Sequence, residues 1–476
     1  MQKLIMFVSL ALFTAVGIAA DESQVWSRFR GPNGSGVADG QKPPVEFGPD
    51  KNVKWKVAVP AGISSPIVAG DNLILTAFDD GKLYTIAYRR KDGKEVWRTE
   101  APAKTIEGFH KVEGSPAAST SATDGKRIVS YFGSCGVFCY DLAGKEQWRY
   151  ELPTAVTGGD FGTGVSPIIA GNSVILVRDV IQDAKIIALD ATTGKPQWEQ
   201  KRTSPSSWCT PVVWETPAGK QVAAAGHVRM IGYDLASGAE QWSLVGLPSG
   251  CCASPVIAEG KLFFAGSSSG NADGGPAMPS YDSLLKNLDT DKDGTLSKAE
   301  GEKAFGGFFD NQDANKDGKV SREEFETIVK FMSEGKDGAF ALKPGGTGDV
   351  SSQTLWKRTK GLSYVASAIV YRGQLVMVRD GGIVIACDAE TGKQAYQERI
   401  AGTGKYYASP VAASGNIYLT SLENGVVTVL KAGVDKPEVL AQNPELAERC
   451  AATPAIADDA LYLRTATHLY AFAEKK

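Results

Sequence analysis

Residues 186–198 read IIALDATTGKPQW: an apolar strand, an aspartate, a glycine turn, a second strand and a closing aromatic residue. The same figure ends at Trp97 (IAYRRKDGKEVW), Trp148 (FCYDLAGKEQW), Trp242 (IGYDLASGAEQW) and Tyr396 (IACDAETGKQAY). In the best copies the aspartate is placed to cap the tight turn that Gly194, Gly238 or Gly392 permits, and the aromatic to pack between neighbouring units. Working outward, each unit opens on a small residue, usually a proline, a strand and a glycine turn. These openings begin at Ser64, Gly114, Val165, Cys209, Ala253, Ala366, Ala408 and Ala452. A recurring unit of about 40 residues denotes a propeller or solenoid, and eight openings predict an all-β, eight-bladed β-propeller with four short strands per blade. The last unit stops after three strands, whereas residues 52–60, NVKWKVAVP, form an orphan strand near the N-terminus. That strand is expected to complete blade eight and close the ring.

Blade five is interrupted. KLFFAGS is its second strand, AFAL from Ala339 its third and TLWKR from Thr354 its fourth, so residues 271–337 form an excursion between two strands of one blade. Insertions at loop tips are tolerated because the ends lie close together. The expected organisation is therefore a signal segment at 1–20, propeller at 21–270, the insertion at 271–337 and propeller again at 338–476.

Two stretches inside the insertion, residues 289–300 (DTDKDGTLSKAE) and 313–324 (DANKDGKVSREE), place oxygen-bearing side chains at positions 1, 3, 5, 9 and 12 around a glycine at position 6. That is the spacing of an EF-hand calcium loop, because a hard divalent cation takes six to eight oxygens. In the first loop Asp289, Asp291 and Asp293 point inward, Thr295 offers its backbone carbonyl, Ser297 stands at the water-bridged position and Glu300 closes the sphere. The second repeats this with Asp313, Asn315, Asp317, Lys319 (backbone carbonyl), Ser321 and Glu324. Two Ca2+ sites are expected. Tyr281, Leu284, Leu285 and Leu288 fall at helical spacing before the first loop, and Phe325, Ile328 and Val329 after the second. Leu296 and Val320, at position 8 of each loop, are placed to pair as a short strand. The loop starts are 24 positions apart, so residues 300–312 are expected to serve as one shared exit and entry helix, which suits a structural pair better than an opening sensor.

The formal charge of −3 and pI near 5.9 argue against a nucleic-acid surface, which needs clustered Lys and Arg in excess. Residues 1–20 read as a secretory signal, with Lys3 as the basic start, an apolar run and small residues before a cleavage zone; a retained N-terminal anchor is the rarer alternative, because the run is shorter than the ~20 residues a spanning helix needs. Export to the periplasm or beyond follows, with no transmembrane segment in the mature chain. Seven cysteines permit up to three disulfides. Cys135 and Cys139, four apart on one presumed strand, are too distant to bridge each other. No Ser/His/Asp or zinc-ligand spacing is present, and His110, His227 and His468 are scattered among blades two, four and eight, so no catalytic residue is assigned. Arg28 and Arg30 near Gly31 and Pro32 read as a loop packed across the propeller base, with anion binding the rarer alternative.

On the AxDxxTGxxxW pattern of Ala188, Asp190, Thr193, Gly194 and Trp198, most of the chain from Trp26 onward resembles the pyrroloquinoline-quinone-like β-propeller repeat family. The N-terminal WSRFRGPNGSG of residues 26–36 and the following NVKWKV are similar to exported bacterial members that resemble outer-membrane assembly propellers. Because fold does not carry function and no catalytic or zinc-ligand spacing is present, the expected function is that of an exported calcium-binding propeller acting as a binding or scaffold protein, with a protein or cell-envelope partner. The family also contains quinoprotein dehydrogenases, which carry a vicinal disulfide stacked on the quinone and a calcium ion holding it. Cys251-Cys252 matches that dipeptide. Yet Cys450 aligns with Cys251 relative to the following proline, and Cys209 stands two positions from the equivalent place, so a disulfide between neighbouring blades is an equally natural reading. The base Asp, calcium-binding Glu and Asn and stacking Trp of those enzymes map onto no position here.

Overall fold

The computed structural model describes residues 26–268, 279–305 and 309–475; the expected signal segment lies outside them. Eight sheets of antiparallel strands follow one another around a ring. Blade three shows the pattern, with strands Ile168–Ala170, Ser173–Arg178, Lys185–Asp190 and Pro196–Lys201 paired in sequence order. Its first three strands are almost wholly buried, while the fourth alternates around Trp198. Neighbouring blades cover both faces of the inner strands, so these read as continuous apolar runs, and only the outer edge meets water.

Strand Val53–Ala58 pairs antiparallel with His468–Ala473, completing blade eight from the two ends of the chain. Blade five is built from Val256–Ala258, Lys261–Gly266, Gly338–Leu342 and Thr354–Arg358, so the insertion leaves between its second and third strands.

The closing aromatic sits at a bulge. Trp97, Trp148, Trp198 and Trp356 each face the residue at which the register between third and fourth strands shifts, and a bulge re-aims the side chain. Each indole donates to a carbonyl in the third-to-fourth-strand turn of the next blade: Trp97 to Leu142 at 3.0 Å, Trp148 to Ala191 at 3.0 Å, Trp198 to Leu235 at 3.0 Å and Trp356 to Ala389 at 2.9 Å. Trp55 of the closing strand does the same to Arg90 at 2.9 Å. The turn glycine lies under the ring, and a Cβ on Gly194 would stand 2.5 Å from the Trp148 indole.

Trp242 departs from this scheme. Its Nε1 donates to Gln221 Oε1 of its own blade at 2.8 Å, over Gly232, which has no side chain to block it. The turn it would meet in blade five is long and glycine-rich and reaches back instead, adding Gly348–Asp349 as a parallel fifth strand on Glu240–Val245. Trp214 reaches blade five in its place, donating to the Gly260 carbonyl at 3.0 Å.

The serine or threonine of each opening closes the ring at its centre. The backbone N–H of Ser65 donates to the hydroxyl of Thr120, Thr120 to Ser166, Ser166 to Thr210, Thr210 to Ser254, Ser254 to Ser367, Ser367 to Ser409, Ser409 to Thr453 and Thr453 back to Ser65, all between 2.9 and 3.1 Å. One hydrogen bond thus joins every neighbouring pair of blades.

The N-terminal segment plugs one end of the axis. It hydrogen-bonds inner strands through Val68 N to Trp26 O, Thr123 N to Ser27 O, the reciprocal Asn33–Val213 pair, and Ala412 N to Gly36 O. Arg30, fully buried, donates to the Ala368 carbonyl. The loop that the sequence places across the base is therefore a plug tied to blades one, two, four, six and seven.

All seven cysteines are free thiols. Cys135 stands in the turn before strand Gly136–Asp141, and only Cys139 is on the strand, because Gly136 with φ 122° opens the strand there.

Candidate functional site

The insertion contains helices α1 (Tyr281–Leu288), α2 (Lys298–Phe305), α3 (Phe309–Gln312) and α4 (Arg322–Glu334). The expected shared helix is helical at α2 and α3; residues 306–308 lie outside the described residues. Tyr281, Leu284, Leu296, Phe309, Val320 and Phe325 form the module's own core. Leu296 pairs with Val320, setting the loops back to back.

Both loops show one hydrogen-bond plan. The position-1 carboxylate accepts from the position-6 glycine, Asp289 from Gly294 N at 3.1 Å and Asp313 from Gly318 N at 2.8 Å. The glycines take φ of 82° and 85°, a left-handed turn that a side chain would strain. Position 3 accepts from position 5, Asp291 from Asp293 N and Asn315 from Asp317 N. Position 5 accepts from position 7, Asp293 from Thr295 and Asp317 from Lys319. The closing glutamates are held by the position-9 serines: Ser297 Oγ donates to Glu300 and Ser321 Oγ to Glu324, each at 2.7 Å. Ser321 also forms a capping box with Glu324 at the start of α4.

In the first loop the carboxylates of Asp289, Asp291 and Asp293 all lie within 4.8 Å of one another. Hydrogen bonds from Thr290 and Ser297 pull Glu300 down to about 2, and Lys319 with Thr295 does the same for Asp293. Three carboxylates this close, one of them held well below its usual range, form the kind of oxygen cluster a divalent cation takes. Lys319 Nζ crosses from the second loop to Asp293 at 2.5 Å, a coupling that loop spacing alone did not reveal.

The module is fastened to the face where the axis opens. The ring of Phe331 on α4 stacks on His227 at 4.3 Å, His227 Nε2 meets Glu334 at 3.1 Å, and Ser249 Oγ donates to Met332 O at 3.0 Å. From the second loop, Lys316 bridges Asp160 of blade three at 2.8 Å.

Beside these anchors lies an axial cavity of about 210 Å3. Phe29, Phe161, Trp208, Tyr364 and Tyr407 line it, together with six of the eight residues of the central ring and Cys252. Phe161 and Trp208 meet edge to face at 6.1 Å. Glu113, the single acidic side chain of the lining, is bridged by Lys405 at 3.1 Å. Nearby, Glu107 is buried and raised to about 7 by desolvation, although Thr163 donates to it through both N–H and hydroxyl. Cys209 Sγ contacts the Cys251 carbonyl at 3.1 Å, and burial, with Cys251 beside it, raises the Cys209 thiol. The axial cavity and its anchors are assembled from four or more blades, and no local motif marked them.

Fold and site together define an eight-bladed repeat propeller carrying an EF-hand pair. The chain belongs to the family described as outer membrane protein assembly factor BamB, whose model matches residues 85–273 and 341–475, on either side of the insertion. An EF-hand model matches residues 282–300 and 308–330. The outer membrane protein assembly factor BamB of Burkholderia pseudomallei (strain K96243) is 29% identical over 161 residues, 33% of this chain and 36% of that protein; the chain spans about a third of the curated relative it matches. Among solved structures, BamB from Moraxella catarrhalis superposes with a TM-score of 0.53 at 13% identity, over 88% of this chain and 98% of that one. Quinohemoprotein alcohol dehydrogenase from Comamonas testosteroni does so with 0.55 at 10% identity, over 96% and 82%. These two likenesses concern the fold alone.

Proposed function

We propose that this protein is an exported, calcium-binding propeller of the cell envelope that acts as a binding or scaffold protein. The observation that carries the reading is the fastening of the EF-hand pair, by stacking, hydrogen bonds and an ion pair, to the face on which the axial cavity opens. Two Ca2+ ions are held, one by Asp289, Asp291, Asp293, Glu300 and the Thr295 carbonyl, the other by Asp313, Asn315, Asp317, Glu324 and the Lys319 carbonyl. Ser297 and Ser321 steady the closing glutamates. Calcium stabilises the module by mass action and so stiffens the rim. The insertion, residues 271–337, is a separate structural unit within the propeller, and the partner is a protein of the envelope, as the BamB relationship suggests.

The alternative is a quinoprotein dehydrogenase, on the Cys251-Cys252 dipeptide and the quinohemoprotein likeness. The lining fits it poorly: Trp208 is present, but Glu113 is its one acidic side chain and is engaged by Lys405, so a Glu/Asn/Asp set for a quinone-holding calcium is missing among the described lining residues. Calorimetry on the purified mature chain separates the readings, with Ca2+ and pyrroloquinoline quinone added separately. Two equivalents of calcium lost in the Asp289→Ala, Asp313→Ala double variant, with no quinone heat, is the expected result. Stoichiometric quinone binding that survives the double substitution would overturn the scaffold reading.

A further inference from the structure

The central ring has a second face. A hydroxyl has one proton to donate besides its lone pairs, and each ring hydroxyl uses a lone pair to accept the N–H of the preceding blade. Among the described residues none of the eight donates its proton to a protein acceptor. Six of them, Ser65, Thr120, Ser166, Ser367, Ser409 and Thr453, line the axial cavity and are 3% exposed or less. Buried donors left open in this way are costly unless a ligand or water takes them.

Charge decides between the two. The guanidinium of Arg30 lies against the ring, donating to the carbonyl of Ala368 next to Ser367, and its neighbour Phe29 lines the cavity. Arg464 lies against the ring on another side, donating to Ser64 O and Oγ, Thr76 O and Pro60 O. Both side chains are fully buried, and neither is paired with a carboxylate among the described residues. Arg202, equally enclosed, does have one, Asp179 at 2.7 Å. Arg30 Nε and Nη1 and Arg464 Nε have no partner. Burial without an anion lowers Arg30 to about 9 and Arg464 to about 10. The negative groups nearby are already answered, Glu113 by Lys405 and Glu107 by Thr163 and by its own raised protonation range. Buried charge is normally paired, so the axis carries unmatched positive charge behind a circle of open hydroxyl donors.

We propose that the propeller axis is an anion site, in which the ring hydroxyls of Ser65, Thr120, Ser166, Ser367, Ser409 and Thr453 donate to a small oxyanion, a carboxylate or phosphate group, balanced by buried Arg30. O–H donors to a charged oxygen make short, strong hydrogen bonds, and a circle of them suits a group that presents several oxygens. The cavity volume equals about seven waters at ~30 Å3 each, room for one such group with part of its hydration. The inference goes beyond the calcium-and-scaffold reading and does not depend on it, since no EF-hand residue takes part.

The test uses the full mature chain in chloride-free buffer. Inorganic phosphate and acetate are titrated separately by calorimetry into the wild type and the Arg30→Met variant, with circular dichroism and thermal unfolding as the check on folding. Independently, wild-type crystals are soaked in sodium bromide and the anomalous signal is mapped. The expected result is millimolar or tighter binding of at least one of the two anions, weakened at least ten-fold in Arg30→Met, and a bromide peak on the axis within hydrogen-bond distance of ring hydroxyls. Acetate alone would specify a carboxylate, phosphate alone a phosphoryl group, and either supports the site. No heat with either anion together with an axis free of bromide overturns it, as does binding that Arg30→Met leaves unchanged.

Discussion

The contact between each closing tryptophan and the turn glycine of the next blade predicts a large, position-specific loss on adding one methyl group. Gly194 and Gly171 are both in blade three and both left-handed, with φ of 70° and 59°. A Cβ on Gly171 meets nothing within 4 Å, whereas on Gly194 it stands 2.5 Å from Trp148 Cε3 and 2.6 Å from Cδ2. Gly171→Ala therefore incurs only the backbone penalty, about 1–2 kcal/mol for an L-residue in that region. Gly194→Ala adds displacement of an indole in a packed interface, about 1–3 kcal/mol, and strains the Trp148-to-Ala191 hydrogen bond, about 1 kcal/mol. The difference between the two variants is expected to be about 2–4 kcal/mol, the sum of those last two effects. Urea unfolding followed by tryptophan fluorescence measures it, with the double variant Gly194→Ala, Trp148→Ala as a cycle. If the two glycine variants unfold at the same urea concentration, or if removing the indole fails to recover part of the Gly194→Ala loss, the dock is not what holds blades two and three together.

Three further outcomes follow from the same geometry. Glu107 binds its proton more tightly folded than unfolded, so the native state gains protons and stability falls as pH rises, from the unfolded value of 4.5 to about 7. The loss is about 3 kcal/mol across that window, and Glu107→Gln should remove this slope; a wild-type stability profile that climbs throughout the interval would refute it. His227→Ala removes the 4.3 Å stack on Phe331 and the contact with Glu334, a pair of this kind contributing about 0.5–1.5 kcal/mol. Amide exchange in α4 should then speed up while calcium affinity stays nearly constant, and unaltered α4 protection would show the anchor to be idle. Gly232→Ala, whose Cβ would lie 2.1 Å from the Trp242 indole, should destabilise blade four by more than Gly171→Ala does blade three; equal urea midpoints would contradict the placement of Trp242 over its own blade.

Spacing carried a large part of this protein. The openings and the Asp, Gly and aromatic positions around Asp190, Gly194 and Trp198 are local, because a tight turn, its cap and a bulged aromatic depend on residues within a dozen positions of one another. The two EF-hand loops are legible for the same reason: the residues that define each one fall within 12 positions. The signal could not say that Trp242 turns back onto Gln221, since that depends on a blade-five turn more than 100 residues away reaching across as an extra strand. Nor could it foresee the central circle, in which serines and threonines of ordinary strand openings become an axial ring only when eight blades bring them together. Arg30 shows the division most clearly. Read in line it is a basic residue in a loop at the base; folded, it is a fully enclosed guanidinium against that ring, because the plug must cross the axis before the chain can return as the last strand of blade eight. Sequence alone determined the repeat, the blade count and the EF-hand pair. Tertiary structure alone decided what meets on the axis and what the EF-hand pair is fastened to, because those contacts join residues separated by tens to hundreds of positions and arise only from closure of the ring.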